Sequence, residues 1–365
     1  MNFMICGGGT GGHVSPAISI YEELKSRSPD SGFCFIGRDG GNENAAYVAT
    51  GERLRLLDMQ GVNGKSPVSM LKGLFRAVTS LGQARKIIKS EKPDVIIGTG
   101  GYVCWPMLTV GKRMRIPTVI HESNAYPGLT TRLVAKGADL VLLNYSEAAK
   151  HLKGARIETV GNPLRHEFYS VKRRSARRQL GVRDGEFLIL SFGGSLGAER
   201  LNEAALMLMR SHSSKTPGIK HIHATGRAYF ERIDKKELRA LNDCGCIIVP
   251  YIESMAEVMH AADLIISRCG AMTISEINEV GAASILIPSP NVADDHQRKN
   301  GSFMSEAGAA IMIEEAELTE RRLTDAVRSL ERDTLRRETM GMRAKSLSKE
   351  NAAKVICDKI LSLAQ

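Results

Sequence analysis

The chain has 365 residues, 43% of them hydrophobic and 25% charged, an ordinary globular composition and enough for two domains with separate cores. A formal net charge of +10 with only 5% aromatics points to an anionic partner, a nucleotide or an acidic lipid surface, and disfavours nucleic acid, which calls for stacking platforms as well as charge. No leader and no apolar run near the ~20 residues of a membrane span is seen, and seven cysteines without a C-x-x-C pair read as reduced thiols, so a cytoplasmic protein is expected.

The apolar run Phe3 to Cys6, the loop Gly7-Gly8-Gly9-Thr10-Gly11-Gly12-His13 and the segment Ala17 to Tyr21 read as strand, tight turn and helix, with amides gathered at the helix's positive end. Gly7, Gly9 and Gly12 also fit the G-x-G-x-x-G dinucleotide fingerprint, for which Asp39, after a second strand Phe33 to Ile36, would be the ribose acid. A bare turn is the plainer alternative. His13, an imidazole where a ligand would lie, favours a site. Further apolar runs at Leu54 to Leu57, Val95 to Ile97, Thr118 to Ile120 and Leu140 to Leu143 alternate with helical stretches, the pattern of a parallel sheet covered on both faces. A second glycine loop, Gly98 to Tyr102, follows the fourth run. Loops at the carboxyl ends of parallel strands line the binding crevice, so His13, Thr99 and the His121-Glu122-Ser123-Asn124 segment should converge. From Lys65 to Lys92 there are seven Lys or Arg against Glu91 alone. Within it Met70, Leu71, Leu74, Phe75 and Val78 recur at helical spacing beside Lys72 and Arg76, which suits either a helix packed on its domain or a patch for an anionic bilayer.

Gly161-Asn162-Pro163 closes the first half, and the basic run Lys172 to Arg178 reads as a solvated helix start capped by Ser175. Strands then restart at Phe187 to Phe192, His221 to Ala224, Ile247 to Val249, Leu264 to Ile266 and Ser284 to Ile287. The turn Gly193 to Gly197 satisfies G-x-S-x-G, so an α/β-hydrolase with Ser195 as nucleophile, Asp263 as orienter and His296 as base is a competing reading. The same serine and amides at a helix N-terminus suit a pyrophosphate. In Arg268 to Glu276, the helix start at Gly270 and Ala271 offers amides, Thr273 and Ser275 could cap it or touch phosphate, and Glu276 could accept two ribose hydroxyls or merely favour the helix dipole. Asn291 to Asn300 has side chains suited to sugar hydroxyls, or is only a polar loop and cap. His221 and His223 share a strand face but lack a third metal ligand nearby, Cys244 and Cys246 read as strand core, and there is no D-x-D. The tail from Leu318 is helical in period, ending in a helix that buries Ala353, Val355, Ile356, Ile360 and Leu363 and can return to the first domain.

Taken together, GGGTGGHVSPA, KPDVIIGTGGYV, IPTVIHESNAYPGLTTR, TVGNPLR, SFGGSLGAERLN, YIESMAEVMHAADLIISRCGAMTISEI and DDHQRKN resemble, in order and spacing, the MurG family of peptidoglycan glycosyltransferases. That resemblance implies an α/β protein of two Rossmann-like doubly wound parallel-sheet domains with a deep cleft between them, the glycosyltransferase-B fold. Residues 1–162 would form the acceptor and membrane-facing domain, 163–345 the UDP-sugar domain, and a helix at about 346–365 would pack back on the first. It implies transfer of N-acetylglucosamine from UDP-N-acetylglucosamine to lipid I, without a cofactor, at the cytoplasmic face of the membrane. The alternatives are another UDP-sugar-dependent glycolipid transferase, the hydrolase and a non-catalytic lipid-binding scaffold. Carried over residue by residue, Thr10, Gly11 and Gly12 would line the phosphate and acceptor side of the cleft, with His13 as general base and Asn124 nearby. Arg165 and the backbone of Ile252 would hold uracil and Ser195 the diphosphate. Ala271, Met272, Thr273, Ile274 and Ser275 would meet sugar and phosphates, Glu276 the ribose and Gln297 the N-acetylglucosamine. Two departures are a serine after His13-Val14, where relatives carry a bulkier residue, and His296-Gln297 in place of a double glutamine.

Overall fold

Strands without polar alternation need cover on both faces, and that requirement builds both sheets. A computed structural model describes residues 1–41, 43–59, 67–194, 197–213, 218–349 and 351–364, with the side chains of 67–77, 212, 213 and 293 left undescribed. The chain divides into two units, Met1–Arg165 with Lys349–Gln365, and His166–Ser348.

In the first unit, β1 (Asn2–Cys6), β2 (Gly32–Arg38), β3 (Arg53–Leu57), β4 (Val95–Gly98), β5 (Thr118–Glu122), β6 (Leu140–Leu143) and β7 (Ile157–Thr159) stand in the order β3-β2-β1-β4-β5-β6-β7. Every described pair is parallel. Phe3 and Ile5 bury on one face with Phe33, Phe35, Ile20 and Leu24, while Met4 and Cys6 bury on the other with Ile88, Met107 and Leu108. The second unit repeats the plan with β8 (Phe187–Phe192), β9 (Ile219–Ala224), β10 (Cys246–Val249), β11 (Leu264–Ser267), β12 (Ala283–Leu286) and β13 (Ile311–Met312), again parallel, in the order β10-β9-β8-β11-β12-β13. Both are doubly wound Rossmann-like sheets. In each, the strand order reverses at one place, between β1 and β4 and between β8 and β11. Crevices open at such switch points.

The last helix, Ala352–Ala364, belongs to the first unit. Its Ile356, Cys357 and Ile360 are fully buried against the Phe3 face, and Asp358 pairs with Arg27 at 2.6 Å. The chain enters this segment across Gly161, where a side-chain carbon would meet Lys349 Cβ at 2.6 Å and Ala352 Cβ at 3.2 Å. Gly161 has φ of +93°, so glycine is needed there for conformation as well as for space.

Three expectations are corrected. Val355, expected to be buried by the last helix, is exposed. Ser175 lies inside the helix Arg173–Gln179, whose cap position is Lys172. The basic run is also only partly solvated: Arg173 and Arg177 converge on Asp263, at 2.5 and 2.9 Å, and reach the backbone carbonyls of Ala262 and Glu186, each at 2.6 Å. Cys244 is not strand core; it is exposed and follows the helix Lys235–Asp243, while Cys246 is buried in β10. The side chains of Met70, Leu71, Lys72, Leu74, Phe75 and Arg76 lie outside the described residues. The backbone there belongs to a helix, Pro67–Glu91, that later exposes Val78, Arg85, Lys86 and Lys89 and buries Ala84 and Ile88. No helix among the described residues is long and apolar enough to cross a membrane.

Candidate active site

At the first unit's switch point, the loops after β1 and β4 interlock. The Gly8 amide donates to the Gly100 carbonyl at 3.2 Å, and a side chain on Gly101 would fall on the Gly8 carbonyl. Thr99, buried, donates its hydroxyl to the His13 carbonyl at 2.7 Å, so the expected convergence of His13 and Thr99 is present. The His13 ring lies against Gly100, where a Cβ would come within 2.8 Å of Nε2. Nδ1 of His13 is 2.9 Å from the Gly8 carbonyl and 3.3 Å from Thr10 Oγ1. A carbonyl only accepts, so in the neutral ring Nδ1 carries the proton and Nε2 keeps its lone pair. That is the tautomer of a base. Thr10, Gly11 and Gly12 are exposed beside this half-buried ring.

Asn124 stands on the loop after β5, the second neighbour of β1 and roughly 10 Å along the sheet at ~4.8 Å per strand. Buried Glu122 organises that loop. Its Oε1 accepts from the Asn124 amide at 3.0 Å and from Asn124 Nδ2 at 3.1 Å, and its Oε2 from the Gly128 amide at 3.0 Å and Thr131 Oγ1 at 2.7 Å. His121 points elsewhere, with Nε2 at 3.0 Å from the Gly161 carbonyl; burial lowers its pKa.

One residue escaped the sequence reading. Glu43, 3% exposed, accepts from the Gly9 amide at 3.2 Å and from the Arg38 amide at 2.9 Å, while Tyr47 donates its hydroxyl to the Gly7 carbonyl at 2.7 Å. In a single sequence nothing marks an acid after Gly40-Gly41 as inward-facing. Its carboxylate already takes the Gly9 amide that a dinucleotide phosphate would need, and this weakens the reading built on Asp39, which is exposed.

In the second unit the helix Ala271–Val280 begins after β11 at Gly270, which has extended backbone and no side-chain cap. Ala271, Met272 and Ile274 are buried and Thr273, Ser275 and Glu276 half-buried, so the apolar members of the motif anchor the helix while the polar ones edge its start. Buried Asn300 donates to the Cys269 carbonyl at 3.2 Å. Gly301 lets the helix His296–Glu306 close on Cys269, whose Sγ would be 2.9 Å from an added Cβ. Gln297 Oε1 accepts from the Ser289 amide at 2.9 Å, which orients its amide nitrogen away from Ser289 as a donor. Before it, Asp294 and Asp295 both hold positive φ, 55° and 52°, strain of the kind that gathers at functional loops. Arg268 serves structure, bonded to Glu315 and to the Ile287 and Pro288 carbonyls. Ile252 is buried, and Arg165 is the last residue of the first unit before the crossing. Ser195 lies outside the described residues.

Asp263 is not placed as the orienter of a hydrolase triad. Asp263 bonds the Leu188 amide at 2.8 Å, at the amino end of β8. The carboxyl end of that strand, Phe192, is four residues further on, roughly 13 Å away at ~3.3 Å per residue. Asp263 is moreover engaged by Arg173 and Arg177.

Residues 3–143 match the glycosyltransferase family 28 N-terminal domain and residues 188–356 its C-terminal domain. A relative from Acetivibrio thermocellus is 39% identical over 99% of this chain and 97% of its own. The chain belongs to glycosyltransferase family 28. That relative is named UDP-N-acetylglucosamine--N-acetylmuramyl-(pentapeptide) pyrophosphoryl-undecaprenol N-acetylglucosamine transferase. So is one from Caldanaerobacter subterraneus subsp. tengcongensis, 38% identical over 97% of both chains. Among solved structures, Acinetobacter baumannii MurG superposes with a TM-score of 0.78 at 27% identity, covering 99% of each chain.

Within this family 28 chain, His221 and His223 are core, not metal ligands. Both rings meet Ser191 Oγ at 2.7 Å, all three residues are fully buried, and among the described residues no group of three His, Cys, Asp or Glu is placed to hold a metal. Burial takes His223 from 6.5 down to about 4, partly offset by its bond to the Ser191 carbonyl. A base whose folded pKa is depressed stabilises the fold fully above its unfolded value near 6.5 and loses that contribution as pH falls toward 4, because the unfolded chain takes the proton first. Denaturant midpoints should therefore drop between pH 7 and pH 4.5, and His223→Gln should flatten that slope. An unchanged slope in the variant would remove His223 as its source.

Proposed function

We propose that this chain transfers N-acetylglucosamine from UDP-N-acetylglucosamine to the 4-hydroxyl of the muramic acid in lipid I, with inversion, to give lipid II for peptidoglycan synthesis. The observation that carries the mechanism is His13, held with Nδ1 on the Gly8 carbonyl at 2.9 Å in a chain of this family. Nε2 accepts the acceptor's hydroxyl proton as its oxygen attacks the anomeric carbon, and the bond from that carbon to the diphosphate breaks with its electron pair leaving on UDP. On the second unit, the helix start at Gly270 and Ala271 and the loop around Ser195 receive the charge that gathers on the diphosphate. Glu276 takes the ribose hydroxyls, Arg165 and the Ile252 backbone the uracil, and Gln297 a donor contact to the sugar. Asn124, set by Glu122, holds the acceptor.

The acceptor's polyprenyl chain is membrane-borne, so the enzyme works peripherally, at the cytoplasmic face. The net charge of +10 and exposed Val78, Arg85, Lys86 and Lys89 support docking of the Pro67–Glu91 helix region on an anionic surface, where each basic residue adds about 1 kcal/mol.

Three outcomes are expected. UDP release should require added lipid I, and His13→Ala should lower turnover by roughly 10² to 10⁴ with UDP affinity by calorimetry unchanged; near-normal turnover would sink the base role. Glu276→Ala should weaken UDP binding about tenfold, the loss of a hydrogen bond to a charged group, and unchanged affinity would remove the ribose contact. Co-sedimentation with vesicles should rise with anionic lipid content and fall with salt, whereas binding indifferent to lipid charge would exclude this docking mode.

A further inference from the structure

The Gly9 amide and the Gly8 carbonyl belong to one planar peptide group. Glu43 Oε2 accepts from its N–H at 3.2 Å, and His13 Nδ1 donates to its C=O at 2.9 Å. The two side chains therefore grip opposite edges of the same plane. The other carboxylate oxygen, Oε1, is anchored by the Arg38 amide at 2.9 Å. Room for the carboxylate is made by glycines: a Cβ on Gly8 would lie 2.6 Å from Oε1, and one on Gly41 would fall on the carboxylate itself.

We propose that Glu43 is a positioning residue that sets the tautomer of His13. A peptide between two glycines, the second at φ of +90°, has little steric resistance to turning over. If the Gly8-Gly9 plane flips, its N–H faces Nδ1, the imidazole proton moves to Nε2, and the ring can no longer take a proton at the nitrogen the reaction uses. Glu43 blocks the flip electrostatically, since the flip would aim a carbonyl oxygen at a buried carboxylate that has no proton to offer. The charge also predicts that the amide cannot replace the acid. In Glu43→Gln, Oε1 can keep the Arg38 amide, but the NH2 group then meets the Gly9 N–H donor to donor. The flipped carbonyl would accept from that NH2, so the amide favours the wrong state.

This rests on His13 being the base, and the experiment separates the two claims. The full-length protein, labelled with ¹⁵N in its histidines, reports the His13 tautomer through long-range ¹H–¹⁵N correlations at a pH where the ring is neutral. Wild type should show the proton on Nδ1, and Glu43→Gln should move it toward Nε2. Its kcat should fall roughly 10- to 10²-fold, the scale of a misplaced catalytic group, with UDP affinity held within twofold. In a His13→Ala background Glu43→Gln should cost nothing further, because the two act as one unit. Gly41→Ala, which leaves the carboxylate in the chain but fills its seat, should shift tautomer and kcat the same way, and it decides the matter if Glu43→Gln fails to fold. An unmoved tautomer, a loss of kcat that persists in the His13→Ala background, or a parallel loss of UDP affinity would overturn the proposal. An inactive His13→Ala beside a normal Glu43→Gln would overturn the positioning role alone; a fully active His13→Ala would overturn both.

Discussion

The first unit turns on a steric constraint, the closeness with which the loop after β4 passes the loop after β1. Gly101 has no space for a side chain above the Gly8 carbonyl, and Gly8 and Gly100 share a backbone hydrogen bond of 3.2 Å. Because the loops touch through backbone, His13 has a flat seat on Gly100 and Thr99 reaches back to the carbonyl of His13 itself. A methyl group on Gly101 would fall on the Gly8 backbone, and one on Gly100 would fall on the His13 ring. The parallel sheet beneath supplies the alignment: β1 and β4 are neighbours in register, Cys6 beside Gly98, so both loops leave the sheet at the same height.

Each unit treats the loops at its own switch point differently. In the first, an internal acid answers a loop amide ahead of the helix: Glu43 holds Gly9, while the helix Gly11–Arg27 itself starts at Thr10 without a side-chain cap. In the second, the helix Ala271–Val280 starts at a glycine with no side-chain cap. A glycine at that position contributes no side-chain oxygen to the first amides.

What the sequence discloses follows from which forces are local. The apolar runs name the strands because burial on both faces leaves no polar alternation, and glycine clusters after β1, β4 and β8 mark the loops because tight turns and close backbone approach need them. His13, Thr99, Ala271 and Glu276 are legible because they ride on those signals. The partners that hold them are not. Glu43 looks like any surface acid in the chain, Glu122 reads only as part of a converging segment and Asp263 only as a hydrolase orienter, and what the three do depends on donors brought from elsewhere: the Gly9 and Arg38 amides, the Asn124 loop, and two arginines that the sequence assigned to solvent. Ser191, His221 and His223 likewise become a polar cluster only when β8 and β9 align.

Such acids cost desolvation, and each is repaid by several donors at once, which is why they fix geometry as well as charge. Glu122 takes four donors around the Asn124 loop. Asp263 takes two arginines and a strand amide. A carboxylate shared among donors from different segments tolerates only the arrangement that satisfies all of them, since leaving one unmet strands a buried polar group at about 1–3 kcal/mol. Where a glycine loop by itself has many conformations open to it, Glu43 selects among them. The flexibility that lets the loop approach another backbone and the buried charge that removes its freedom are therefore two halves of one arrangement: a His13 ring seated with Nδ1 on the Gly8 carbonyl.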